Sequence, residues 1–301
     1  MKKTLIFSLI LGVLLVGGAL ASHDLSSHST PANEKGMNSS PTIIRLGNPT
    51  SLDLSGPGAS VDNHPSGATF YQYDWMRGSL GTVRFEDGKH SFVIDNALSA
   101  LGSADKDVPG GIYKWSVNFG VSADQADTHE AARARVMKFL EGLRASGWSR
   151  YIDTDYPRLT GEQAWNYRVT KALYSLDSTY TPTIEQWKLA VGKQPHWKFF
   201  ADGVYLDVSI LENDMGGIAG KSTYLLTVSI KNEYAFYGLG YFPGDPEKIR
   251  QWKALIPAEN QKYHAARVKT EEALKEQGMT IDTSYEDPPI QALRGSTENS
   301  P

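Results

Sequence analysis

A strict alternation runs through Val204, Leu206, Val208 and Ile210, with Tyr205, Asp207 and Ser209 between them. That period of two predicts a strand with one buried face and one face at least half wet. The strand belongs to a longer run, Trp197 to Leu211, divided by Asp202-Gly203, a dipeptide suited to the positive φ angles of a two-residue type I′ hairpin turn. After a Gly-rich loop, Ser222 to Ile230 adds a third β-rich run, so the whole stretch predicts a three-stranded antiparallel meander. The device recurs upstream: Ser79 to Asp95 is divided by Asp87-Gly88, and Ile112 to Val121 supplies the third strand.

Helical periodicity follows each meander. After the first come Ala131, Ala132 and Arg133, then Gly147, then Ile152-Asp153-Thr154; after the second come Ala265, Ala266 and Arg267, then Gly278, then Ile281-Asp282-Thr283. The offset is 115 residues between the Asp-Gly pairs at 87 and 202, and 131 between the glycines at 147 and 278. An insertion in the second copy accounts for the growth. The pattern therefore predicts an α+β fold of two similar β-β-β-α-β units, antiparallel meander sheets each covered by a helix.

In chain order, Ser22 to about residue 66 is rich in Ser, Pro, Asn, Gly and His and reads as a flexible leader, with only Thr42 to Leu46 able to form a strand. The first unit spans residues 67–159. Its helix has Asp127 or Thr128 as cap, Glu130 placed for a capping box with Asp127, and Ala132, Val136, Phe139, Leu140 and Leu143 on one face. Gly147 stops it, and Trp148 to Ile152 should return a strand to the sheet. A connector, 160–195, holds two short helices: one from Thr160 with Trp165 and Val169 inward, and one capped by Thr181 with Pro182 in its first turn and Gly192 at its end. The second unit spans 196–286. Its insertion, 231–259, carries Tyr234, Phe236, Tyr237, Tyr241, Phe242, Asp245 and Trp252, and such a loop either packs on its own domain or forms a contact surface. Residues 287–301 read as a disordered tail.

Composition narrows the setting. Lys2 and Lys3 precede an apolar run from Leu5 to Val16, and Ala19-Leu20-Ala21 has the small-x-small form of a signal-peptidase site. Residues 1–21 therefore read as a signal peptide cleaved before Ser22, and the protein as periplasmic. The 301 residues include no cysteine, which excludes disulfides, thiolate metal sites, cysteine nucleophiles and a lipid anchor on cysteine. Loss of Lys2 and Lys3 moves the formal charge from −4 to −6, leaving 28 basic against 34 acidic residues. No nucleic-acid footprint exists in such a chain, and the partner it favours is basic.

A catalytic reading needs a nucleophile, a metal or an acid–base pair. No HExxH, G-x-S-x-G, P-loop or dinucleotide fingerprint occurs, and the seven histidines are not at helical ligand spacing. His129 and His264 hold related places at the starts of the two repeated helices, which suits a capping or surface role. Asp105-Lys106-Asp107, Asp153-Thr154-Asp155 and Glu212-Asn213-Asp214 offer oxygen atoms without an EF-hand glycine and read as solvated loop acids. No catalytic residue, cofactor or metal ligand is assigned, and the chain reads as a non-enzymatic binding protein.

The pairing of Gly203 to Leu211, GVYLDVSIL, with Ser222 to Lys231, STYLLTVSIK, followed by a helix, resembles periplasmic immunity proteins that accompany type VI secretion effectors, particularly phospholipase effectors. The likeness covers about residues 70 to 285 and rests on structural rather than chemical motifs. It implies a stoichiometric inhibitor of a toxic effector, close to the membrane without a lipid anchor, gripping its target with aromatic anchors. On that reading the candidate protein-binding residues are Tyr234, Phe236, Tyr237, Tyr241, Phe242, Asp245 and Trp252. A periplasmic ligand-binding or envelope-assembly module, and a hydrolase with an unrecognised site, are the alternatives.

Overall fold

The computed structural model describes residues 40–76, 78–170, 174–213 and 220–294. Residues 1–39, which hold the expected signal peptide and most of the expected leader with His23 and His28, lie outside them, as do Asp214, residues 295–301 and the side chain of Val169. In chain order the strands are β1 (Thr42–Ile44), β2 (Ala59–Asn63), β3 (Ala68–Asp74), β4 (Gly81–Phe85), β5 (Phe92–Asp105), β6 (Lys114–Gly120), β7 (Ser149–Arg150), β8 (His196–Ala201), β9 (Val204–Asn213) and β10 (Thr223–Asn232). The helices are α1 (His129–Ala145), α2 (Gly161–Thr170), α3 (Ile184–Val191), α4 (Pro246–Arg250), α5 (Trp252–Glu276) and α6 (Gln291–Arg294).

The fold is α+β, built on one large, mostly antiparallel sheet in the order β1-β4-β5-β6-β10-β9-β8-β7, with β3 also on β5 and β2 on β3. The two meanders meet at β6 and β10, which pair antiparallel from Leu225 opposite Gly120 to Lys231 opposite Lys114. They share one sheet and one core. The apolar phase of every central strand points to one face: Val117 and Phe119, Leu226 and Val228, Val208 and Ile210, Trp197 and Phe199 are all buried there. Helix α1 covers this face because Ala132, Val136, Leu140 and Leu143 fall on one side of it, and Trp187 and Val191 of α3 join the same cluster.

Local chemistry fixes the boundaries. Asp202 and Gly203 adopt φ angles of 43° and 85°, with Ala201 opposite Val204, as a two-residue hairpin requires. Asp87-Gly88 does otherwise. Phe85 pairs with Phe92, and Gly88–His90 forms a 3-10 turn within a longer connection. The reason is His90, which turns inward: its Nδ1 lies 2.9 Å from the Ser146 carbonyl, its Nε2 3.1 Å from Asp202 Oδ2, and Trp148 Nε1 donates to its carbonyl.

Thr128 alone caps α1, accepting from the Ala131 amide at 3.2 Å, while Asp127 binds Arg135 and Ser122. The next expected cap moves two residues, from Thr181 to Thr183, because Thr183 and Gln186 form the reciprocal capping box. Pro182 instead offers its carbonyl to Arg133. The return strand β7 joins β8, at the far edge of the sheet from the meander that precedes it.

Two segments expected to be loose are built in. Within the leader, β1 runs parallel to β4 with Ile44 fully buried, and β2 pairs with β3. In the tail, Asp287 pairs with Arg267, and the backbone amides of Gln291 and Ala292 donate to Glu233. Helix α5 also starts earlier than its sequence counterpart, at Trp252, and carries Pro257 in its interior. His264 accordingly sits in mid-helix. Ile281-Asp282-Thr283 forms no strand; Ile281 packs against Ile152 and Leu274, and the Asp282 amide donates to the Arg158 carbonyl.

Candidate binding surface and polar pocket

The polar phase of the same strands makes the opposite sheet face, and register sorts it into rows. One row runs Phe200, Tyr205, Lys231, Lys114; the next Lys198, Asp207, Ser229, Ser116; the next His196, Ser209, Thr227, Asn118. Cross-strand hydrogen bonds hold these side chains in place. Thr227 Oγ1 donates to Asn118 Oδ1 at 2.8 Å, and Asn118 Nδ2 donates to Ser99 Oγ at 3.1 Å. His196 Nδ1 lies 2.8 Å from Asp207 Oδ1, and Lys198 Nζ donates to Asp153 Oδ2 at 2.5 Å. Leu101 and Leu211, on the same phase, are exposed.

At one end an aromatic block covers this face. Phe236 stacks on Tyr205 with centroids 3.8 Å apart, Tyr151 meets Tyr205 edge-on at 5.2 Å, and the Tyr205 and Tyr237 hydroxyls are 2.7 Å apart. Where the block meets the polar rows there is a cavity of about 60 Å³ lined by Tyr151, Lys198, Tyr205, Asp207, Ser229, Lys231 and Phe236.

The charges around it are unequally matched. Burial works against a charged Lys198, but Asp153 and Asp207 outweigh it and raise its pKa. Burial likewise opposes ionisation of Asp207, yet the His196 hydrogen bond and the nearby cations hold its carboxyl below the usual range. Lys231 is different: burial lowers its pKa, Lys114 and Lys198 add to the effect, and the attraction of Asp207 does not compensate. Among the described residues, Lys231 has no ion pair, and the buried Ser229 Oγ has no hydrogen-bond partner. Ser229 and Lys231 are therefore not a hydrogen-bonded nucleophile–base pair; they are two donors facing one cavity. Nor do three His, Asp or Glu side chains converge on a metal position among the described residues.

The aromatic insertion is largely interior. Tyr237, Phe242 and Trp252 are 3%, 8% and 6% exposed, inside a cluster with Tyr151, Tyr205 and Ile256. Packing accounts for these three, and they offer almost no surface to a partner. Tyr234, Phe236 and Tyr241 are half-buried on the same cluster, with Tyr234 edge-on to Tyr113 and Tyr241 edge-on to Tyr263. Asp245 is exposed and caps α4, accepting from the Lys248 amide at 3.1 Å.

Sequence alternation assigns Asp207 to the wet phase of its strand and does not single out Lys198, Ser229 or Lys231, because such a phase reads as solvated. The available signal was charge on matching phases of three successive strands. The chain matches no protein-family model, no curated protein and no solved structure.

Proposed function

We propose that this chain is a non-catalytic binding protein, exported to the periplasm, that neutralises a toxic secreted effector by docking it on the polar sheet face beside the aromatic block. The observation that carries the reading is the order of that face: two groups of its polar side chains are already held by one another, from Ser99 through Asn118 to Thr227 and from His196 to Asp207. A surface ordered before contact loses little side-chain entropy on binding, which favours a stoichiometric inhibitor. Exposed Leu101, which continues the second row beside Ser116, and Leu211, beyond the third row, supply apolar contact. We further read the two meanders as similar units, an internal duplication, because β4-β5-β6 and β10-β9-β8 lie in mirrored order about the β6–β10 seam.

The test is co-expression in a periplasm with the toxin encoded beside this gene, followed by co-purification. Protection and co-elution are expected for the wild-type chain, with loss of both in Leu101→Arg and Leu211→Arg and retention in Asp245→Ala. Separate elution with undiminished toxicity overturns the reading. Retained protection in the two arginine variants moves the interface off the sheet.

A further inference from the structure

The cavity beside the aromatic block is suited to a ligand of definite chemistry. Its unmatched polar groups can all donate: the Lys231 ammonium, and the hydroxyls of Ser229 and Tyr151, both buried without a partner. The other charges lining it are engaged, Lys198 by Asp153 and Asp207 by His196. A buried hydroxyl with no partner is unfavourable, and so is a half-buried ammonium with two lysines for neighbours. Both penalties end when an acceptor carrying negative charge occupies the space between them. Size and wall chemistry restrict that acceptor. At about 10–15 Å³ for each water-sized occupant, the cavity of about 60 Å³ takes about four to six heavy atoms, enough for a carboxylate and a short stem. Asp207 in the lining disfavours a second negative charge, which selects a monoanion over phosphate. The rings of Tyr151, Tyr205 and Phe236 line the cavity and give an apolar stem a wall to pack against.

We infer that Lys231 and Ser229 form a binding site for a carboxylate group, with Tyr205 and Phe236 flanking the carbon atoms behind it. The carboxylate oxygens accept from Lys231 Nζ and Ser229 Oγ. The group comes either from a free short-chain acid or from an acidic side chain of a docked protein. The site does not depend on the effector reading, since a free acid needs no second protein.

The experiment is an NMR titration of the full chain at constant ionic strength, following backbone amides of residues 205–207 and 229–231. Four probes are used: sodium acetate, sodium hexanoate, N-acetylglutamate methylamide and sodium phosphate. Saturable shifts with at least one carboxylate are expected, weakened at least tenfold in Lys231→Met and severalfold in Ser229→Ala, and unchanged in Lys114→Met. Tighter binding of acetate or hexanoate identifies a free acid, and tighter binding of the glutamate derivative identifies a side chain. No saturable shift with any carboxylate overturns the site, as does equal binding by Lys231→Met, whose fold is checked by its melting curve. Preferential binding of phosphate overturns the carboxylate assignment.

Discussion

Replacing Arg267 by leucine tests how the C-terminal segment is held. The guanidinium is 2% exposed and grips both oxygens of Asp287, at 2.7 and 2.8 Å. It also donates to the backbone carbonyls of Tyr156 at 2.9 Å, Asp153 at 3.0 Å and Ile152 at 3.3 Å. One side chain therefore joins α5, the stretch after β7 and the segment leading to α6. In Arg267→Leu, the Asp287 carboxylate, already 32% exposed, regains water. The Ile152 carbonyl keeps the Tyr285 hydroxyl as donor. The Asp153 carbonyl keeps the Tyr156 amide as donor at 2.9 Å, and the Tyr156 carbonyl loses its donor, at about 1–3 kcal/mol when left buried and unpaired. Together with the broken pair this gives about 3–5 kcal/mol, a large part of the roughly 5–15 kcal/mol that stabilises a typical protein. At roughly 2–4 °C per kcal/mol for a chain of this size, Tm should fall by about 6–20 °C. Urea unfolding followed by tryptophan fluorescence measures the loss directly. Arg267→Lys should recover only part of it, because an ammonium cannot fork onto Asp287 while reaching the carbonyls. A loss below about 1 kcal/mol in Arg267→Leu, within the range of ordinary surface substitutions, refutes the clamp.

The buried Glu271 resists ionisation through burial, but hydrogen bonds from the Arg158 side chain and amide, with its charge, hold the carboxyl below its ordinary value. Its folded pKa lies below its unfolded one, so its contribution is complete above about pH 4–5 and is lost as the pH falls through the folded value. Glu271→Gln should therefore be destabilised at pH 7 and show less further loss on acidification, measured by urea unfolding from pH 7 to 3. Gly203→Ala places a side chain at a φ of 85° and should cost about 1–2 kcal/mol, read from the urea midpoint; an unchanged midpoint refutes the left-handed turn. Thr183→Ala removes the capping hydroxyl of α3 and should cost about 1 kcal/mol in the same assay. Lys231→Met should unfold at an equal or higher urea concentration at pH 7, because the charge it removes is disfavoured by its surroundings.

The strands were legible because residue type alternates with period two, as in Val204 to Ile210, although Tyr205 and Ser209 of the polar phase are buried rather than wet. The α1 face was legible for the analogous reason at period 3.6. Three features escaped because tertiary partners decide them. Asp87-Gly88 has hairpin chemistry, but inward anchoring of His90 imposes a 3-10 turn. Residues 42–63 lack the composition of a core, yet β4 and β3 give their backbones partners. The tail is polar, but Arg267 and Glu233 meet it from segments that nothing in its own sequence reveals. Aromatic density in the insertion indicated exposure no more than packing, and most of it packs. The polar pocket was invisible because Lys198, Asp207, Ser229 and Lys231 become neighbours only when β8, β9 and β10 are in register.

The seam between β6 and β10 bears on the order in which the chain acquires its structure. Val117 pairs with Val228, so a strand near the middle of the sheet must wait for more than a hundred further residues before its second edge is closed. Pairings of that sequence separation slow folding, since a long loop must be closed before any contact rewards it. During synthesis the first meander therefore emerges with one open flank, a row of free amides and carbonyls available to chaperones and to aggregation alike. Native structure in this chain should consequently appear late and cooperatively, after β10 has been made.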